Sequence, residues 1–146
     1  MKTLKTFSLF LVLSWTPIFL GAQQVERDEE GFPTFSYAEG DTVYQMKQYY
    51  LVMLYRGEDE AREKSEEDAA TIQAAHLAHI QKMAEAGVLS IAGPMGDQSA
   101  LRGIFIFNLP EKEDVEAWVS GDPAVKSGRL SAEIHSWWAA KGSRLP

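Results

Sequence analysis

The chain has 146 residues, enough for one domain with a segment to spare at the front. Its formal net charge of −7 disfavours long-range attraction to nucleic acid or to an anionic membrane surface. It contains no cysteine, which excludes disulfides and thiolate chemistry.

The opening stretch "MKTLKTFSLFLVLSWTPIFLGAQQ" carries Lys2 and Lys5, then an apolar run from Phe7 to Leu20, then the small residues Gly21 and Ala22. This is the pattern of a cleavable signal peptide over residues 1–22, so an exported protein, periplasmic or secreted, is expected. Ser14, Thr16 and Pro17 interrupt the run, which falls short of the ~20 residues a membrane span needs. No cysteine follows it to take a lipid anchor, so no stable membrane anchor is expected after cleavage. Cleavage removes two lysines and no acid, which takes the formal charge from −7 to −9.

Residues 23–45 are polar and punctuated by Gly31, Pro33 and Gly40, and read as a mostly flexible leader with at most a short strand at Thr42–Met46. The domain proper is expected over residues 46–146. It begins with the apolar run "QYYLVMLYRG", a strand ended by Gly57. The acid-rich "GEDEAREKSEEDAA" then reads as a solvated loop and helix start, with Ser65 as N-cap and acids in the first turn. That helix should run to Ala86 and stop at Gly87. "VLSIAGP" and "LRGIFIFNLP" are strands, "EKEDVEAWVSG" is a helix with Val115, Trp118 and Val119 inward, "DPAVKSG" is a helical turn, and "LSAEIHSWWAA" is a last strand.

The order β-α-β-β-α-β predicts an α+β, ferredoxin-like subunit with a four-stranded antiparallel sheet. Two helices cover only one face of such a sheet. A half-solvated strand should alternate apolar with polar. Tyr50-Leu51-Val52-Met53-Leu54 and Ile104-Phe105-Ile106-Phe107 do not alternate, so both faces should be buried. A second copy is the expected cover, giving a sheet-to-sheet homodimer.

Two of the three histidines lie in the first helix. At ~100° per residue, His76 falls in the middle of the apolar stripe formed with Ala69, Ile72, Ile80 and Met83, and His79 falls at its edge. An inward histidine is either a hydrogen-bonded core residue or a general acid/base. The two histidines are three apart, yet no third ligand stands at a metal-site spacing, and His135 could reach them only by tertiary accident. No metal and no cofactor are expected. The glycines at 93, 96 and 103 lack the Gly-Lys-Ser/Thr of a phosphate loop. Arg102 reads as a surface ion pair or as the partner of an anionic substrate. Asp97 reads first as a turn residue. Asp122-Pro123 is an N-cap followed by proline at the first helical position, and a capping carboxylate can also fix an imidazole tautomer. Trp137 and Trp138, as strand neighbours, point to opposite faces and supply core and interface area.

Between Tyr49 and Trp138 the chain resembles the YCII-related (YciI-like) family. The motifs are His76-Leu77, Ala92-Gly93-Pro94 and Asp122-Pro123, in that order and spacing. The resemblance implies a dimeric α+β barrel and a cleft with a His–Asp pair, matched here by His76 and Asp122. It also implies a fold similar to muconolactone isomerases, with a dehydrochlorinase of chlorinated hydroxyquinols among the assigned activities. The signal peptide and leader mark this chain as an exported version. The expectation is therefore a metal-free lyase or isomerase acting on a small molecule. His76 and Asp122 are its candidate catalytic pair, and Arg102, Asp97 and His79 its candidate substrate-binding residues. The alternative is a non-catalytic ligand-binding or dimerisation module, or an envelope interaction protein that uses the leader.

Overall fold

A computed structural model describes residues 24–58 and 66–146. The expected signal peptide and the Ser65 cap lie outside the described residues. The elements in chain order are β1 (Glu26–Arg27), β2 (Pro33–Glu39), β3 (Thr42–Arg56), α1 (Glu66–Glu85), β4 (Leu89–Pro94), β5 (Leu101–Phe107), α2 (Lys112–Gly121), α3 (Pro123–Lys126) and β6 (Leu130–Ala140).

Strands β6, β3, β5 and β4 lie side by side in that order, every pairing antiparallel. This is the ferredoxin-like core expected from the β-α-β-β-α-β order. Even-numbered residues of β3 face the helices. Tyr50, Val52 and Leu54 pack there with Phe105 and Phe107 of β5, Met83 of α1, and Val115 and Val119 of α2. Full burial of a side chain such as Phe107 stabilises the fold by roughly 1.5–3 kcal/mol. At the end of α1, Gly87 takes φ 73°; its N–H donates to the Ala84 carbonyl, and that of Val88 to the Met83 carbonyl. These two bonds close the helix in the Schellman pattern. Among the described residues no helix is long and apolar enough to cross a membrane.

The segment expected as a flexible leader instead extends the sheet. β2 pairs with the first half of β3 from Thr34↔Lys47 to Glu39↔Thr42, closed by the two residues Gly40 and Asp41. Gly40 sits at φ 59°, as the first position of a primed hairpin turn requires. Met46 pairs with Phe35 on one side and Ala140 on the other, so β2 lies on the same edge of β3 as β5, beyond its end. The sheet therefore has six strands rather than four. Aromatic packing accounts for this: Tyr37 stacks on its cross-strand partner Tyr44 at 5.1 Å, and Phe35 meets the Trp138 ring edge-on at 4.8 Å. Arg27 also pairs with Glu111, just before α2, at 2.7 Å.

The sheet face away from the helices carries Leu51 and Met53 of β3, Ile91 of β4 and Ile104 of β5, all partly exposed in the single chain. Trp137 of β6, on the same face, is 40% exposed.

Candidate functional site

Asp122 occupies a single extended residue between two helices. It ends α2, its N–H bonding the Val119 carbonyl at 3.1 Å, and it caps α3, its carboxylate accepting from the Ala124 N–H at 2.8 Å with Pro123 at the first helical position. The side chain is fully buried. A carboxylate in such a place needs hydrogen-bond partners to offset its lost hydration. The second partner comes from α1: His76 Nδ1 lies 2.9 Å from Oδ1 and 2.8 Å from Oδ2.

An ionised carboxylate only accepts, so Nδ1 carries the proton and donates. In the neutral ring Nε2 then keeps its lone pair. The ring lies near that of Phe105, centroids 6.1 Å apart and planes 28° off parallel. It is 8% exposed and lines a cavity of about 520 Å³ between α1 and the helix-facing side of the sheet. Leu77 and Ile80 of α1, Leu54 and Phe105 supply apolar wall; Arg56, Arg102 and Arg129 supply charge.

Two backbone devices set the arginines in place. The β3–β5 register passes from Leu54↔Gly103 to Tyr55↔Leu101, so Arg102 is the extra residue of a bulge, a feature that re-aims a side chain. Gly103 cannot be larger, since a Cβ there would stand 2.8 Å from the Gly93 carbonyl oxygen. On the other side of β3, the Gly57 N–H donates to the Arg129 carbonyl at 2.9 Å, and a Cβ at Gly57 would overlap the Gly128 carbonyl oxygen.

Of the five candidate residues, His76, Asp122 and Arg102 are brought to one place, with Asp122 behind the ring. His79 and Asp97 are not. The edge position of His79 turns its ring toward α2, where Nε2–H donates to the Trp118 carbonyl at 2.9 Å and fastens the two helices. Asp97 is an exposed turn residue whose carboxylate accepts from the Ser99 N–H at 3.0 Å. Its bonds to Ser99, helped by the charge of Arg102, hold its pKa below the ordinary value. His135 lies opposite Leu51 on the far face of the sheet, 3.6 Å from Glu133. Sequence reasoning missed Arg56 and Arg129. Each stands beside a glycine at a strand end, but nothing local says that the two ends meet.

The family model for the YCII-related domain matches residues 49–137. No curated protein matches the chain. Among solved structures, the chain is similar to 5-chloro-2-hydroxyhydroquinone dehydrochlorinase from Burkholderia phenoliruptrix AC1100, in complex with 2,5-dihydroxybenzoquinone. Identity is 22%, the TM-score is 0.43, and the match covers 60% of this chain and 92% of the other. Residues 49–137, the span of the family model, take in every described residue that lines the cavity, together with Asp122. The chain belongs to the YCII-related domain family.

Proposed function

We propose that this protein is an exported small-molecule lyase or isomerase in which His76 and Asp122 act as an acid/base pair in the cleft of a homodimer. The observation that carries the reading is the pairing of His76 Nδ1 with a fully buried carboxylate while the same ring lines a cavity of about 520 Å³. In that arrangement Nε2 takes a proton from a substrate carbon, and Asp122 stabilises the imidazolium that forms. The electron pair released from the C–H bond either expels a leaving group on the adjacent carbon or shifts a double bond. In the second case the imidazolium returns the proton at a new carbon. Arg102 neutralises the negative charge of the substrate. Two further parts of the reading come from elsewhere in the chain. The N-terminal pattern of residues 1–22 supports export, and the apolar sheet face with Leu51, Met53 and Ile104 supports pairing with a second copy.

The test is hydrogen–deuterium exchange at carbon, followed by NMR, with the chain from residue 23 onward and a panel of enolisable small acids and hydroxyquinols in D₂O. The wild type should exchange or convert at least one member, and His76→Gln should lower that rate by about 10²–10⁴. A wild type that binds panel members without exchange, or a Gln variant as fast as the wild type, leaves the non-catalytic binding module as the reading. Sedimentation should give the mass of a dimer, and Met53→Arg should give a monomer.

A further inference from the structure

We infer that the cavity is built for a small organic anion, a carboxylate or phenolate on an apolar body, gripped by Arg56 and Arg129 together with Arg102. The inference rests on the cavity of the proposed function but not on proton transfer by His76. The protein is acidic, with 21 Asp and Glu against 14 Lys and Arg. Yet three of its six arginines line this one cavity, and among the described residues no lysine, aspartate or glutamate does. The carboxylate of Asp122 is committed behind the ring to His76 and Ala124. A cleft lined by one sign of charge in a chain of the opposite sign concentrates ligands of the chain's own sign.

The choice of arginine over lysine matters. A guanidinium grips a carboxylate through two parallel N–H bonds, which a lysine ammonium cannot do. Arg129, Arg56 and Arg102 come from the neighbouring strands β6, β3 and β5, or the residue just before, at one end of the sheet. With adjacent strands ~4.8 Å apart, the row spans about 10 Å. Backbone bonds fix it on both sides: the Arg56 N–H donates to the Ala100 carbonyl at 2.8 Å, and the Gly57 N–H to the Arg129 carbonyl at 2.9 Å. Arg56 and Arg129 each hold another partner as well. With five N–H donors, a guanidinium can hold that partner and a ligand at once. Leu54 and Phe105, further along the same strands β3 and β5, and Ile80 of α1 offer apolar wall in the cavity that His76 also lines. The occupant that satisfies both is an anionic head on an apolar body.

Calorimetric titration of the chain from residue 23 onward with benzoate and cinnamate, against benzamide and cinnamamide, tests this. The two acids should bind, each about tenfold or more tighter than its amide, and added salt should weaken them. Arg56→Gln and Arg129→Gln should each weaken the acids by about tenfold and leave the amides unchanged. Should either variant fail to fold, the acid-to-amide ratio in the wild type decides alone. Wild-type protein that binds the acids selectively yet exchanges no hydrogen at carbon separates this inference from the proposed reaction. Failure of both acids to bind, amides binding as tightly as acids, or folded Arg→Gln variants binding like the wild type would each overturn it.

Discussion

Oδ1 of Asp122 accepts two hydrogen bonds at once, 2.8 Å from the Ala124 N–H and 2.9 Å from Nδ1 of His76, which lies 46 residues earlier in the chain. The carboxylate that starts the short helix α3 is therefore the same one that orients the ring. Cap and cavity cannot be altered independently. Removing the group should show as both a stability loss and a change of tautomer.

Asp122→Ala leaves the imidazole N–H and the Ala124 N–H buried without acceptors, and should cost about 3–5 kcal/mol of stability in urea unfolding. Asp122→Asn keeps an acceptor for Ala124 but presents an amide donor to the ring. The imidazole proton should then move from Nδ1 to Nε2, at a stability cost of about 1 kcal/mol. Nitrogen-15 NMR of the His76 ring reads this directly. An Asn variant that kept the proton on Nδ1 would contradict the assignment.

Gly57 faces the backbone of Gly128 and Arg129 with no room for a Cβ, whereas Gly96 has open space around its missing Cβ. Gly57→Ala should therefore destabilise by about 3 kcal/mol or displace Arg129 from the cavity, while Gly96→Ala should change stability by less than about 1 kcal/mol. Thermal unfolding of the two variants side by side checks the contrast.

Lys47 is 5% exposed on the sheet face away from the helices. Its Nζ lies 3.4 Å from the centre of the Phe32 ring and 4.0 Å from Glu30. Burial pushes its pKa below 10.5, against the opposing pull of Glu30 and Asp28. Between the lowered value and 10.5, the unfolded chain binds this proton more fully than the folded one, so stability rises with pH across that window. Below the window both states are protonated and the whole desolvation cost is present. Lys47→Met removes the titration. The stability of the wild type relative to this variant should grow with alkaline pH and level off above 10.5. Urea unfolding over an alkaline series measures it, and a difference independent of pH would refute the burial argument.

Much of this molecule is legible residue by residue. The 3.6-residue period of α1 places His76 on the buried stripe and His79 at its edge, because a helix wheel needs only local spacing. Gly87 stops that helix, and Asp122-Pro123 starts the next, by local backbone preferences. The β2–β3 hairpin is not read as such from the sequence, although Phe35 and Tyr37 alternate with Thr34 and Ser36 ahead of Gly40-Asp41. Its polar composition and scattered glycines instead suggest a leader when read without the aromatic pairing across the turn. Asp97 and Arg102 both stand as candidate substrate-binding residues in the sequence, but the turn holds Asp97 to Ser99 while the bulge sends Arg102 into the cavity.

The sequence by itself determined the elements from the apolar stretch of β3 to β6, their order and the two-sided apolar character of the central strands, because each follows from spacing along the chain and from local sterics. Only the tertiary structure decided that Asp122 reaches His76, and that Arg56, Arg102 and Arg129 line one cavity. Those meetings depend on which strand ends are neighbours in the sheet and on where α3 docks against α1. Long-range packing sets both, and no short window of residues encodes them.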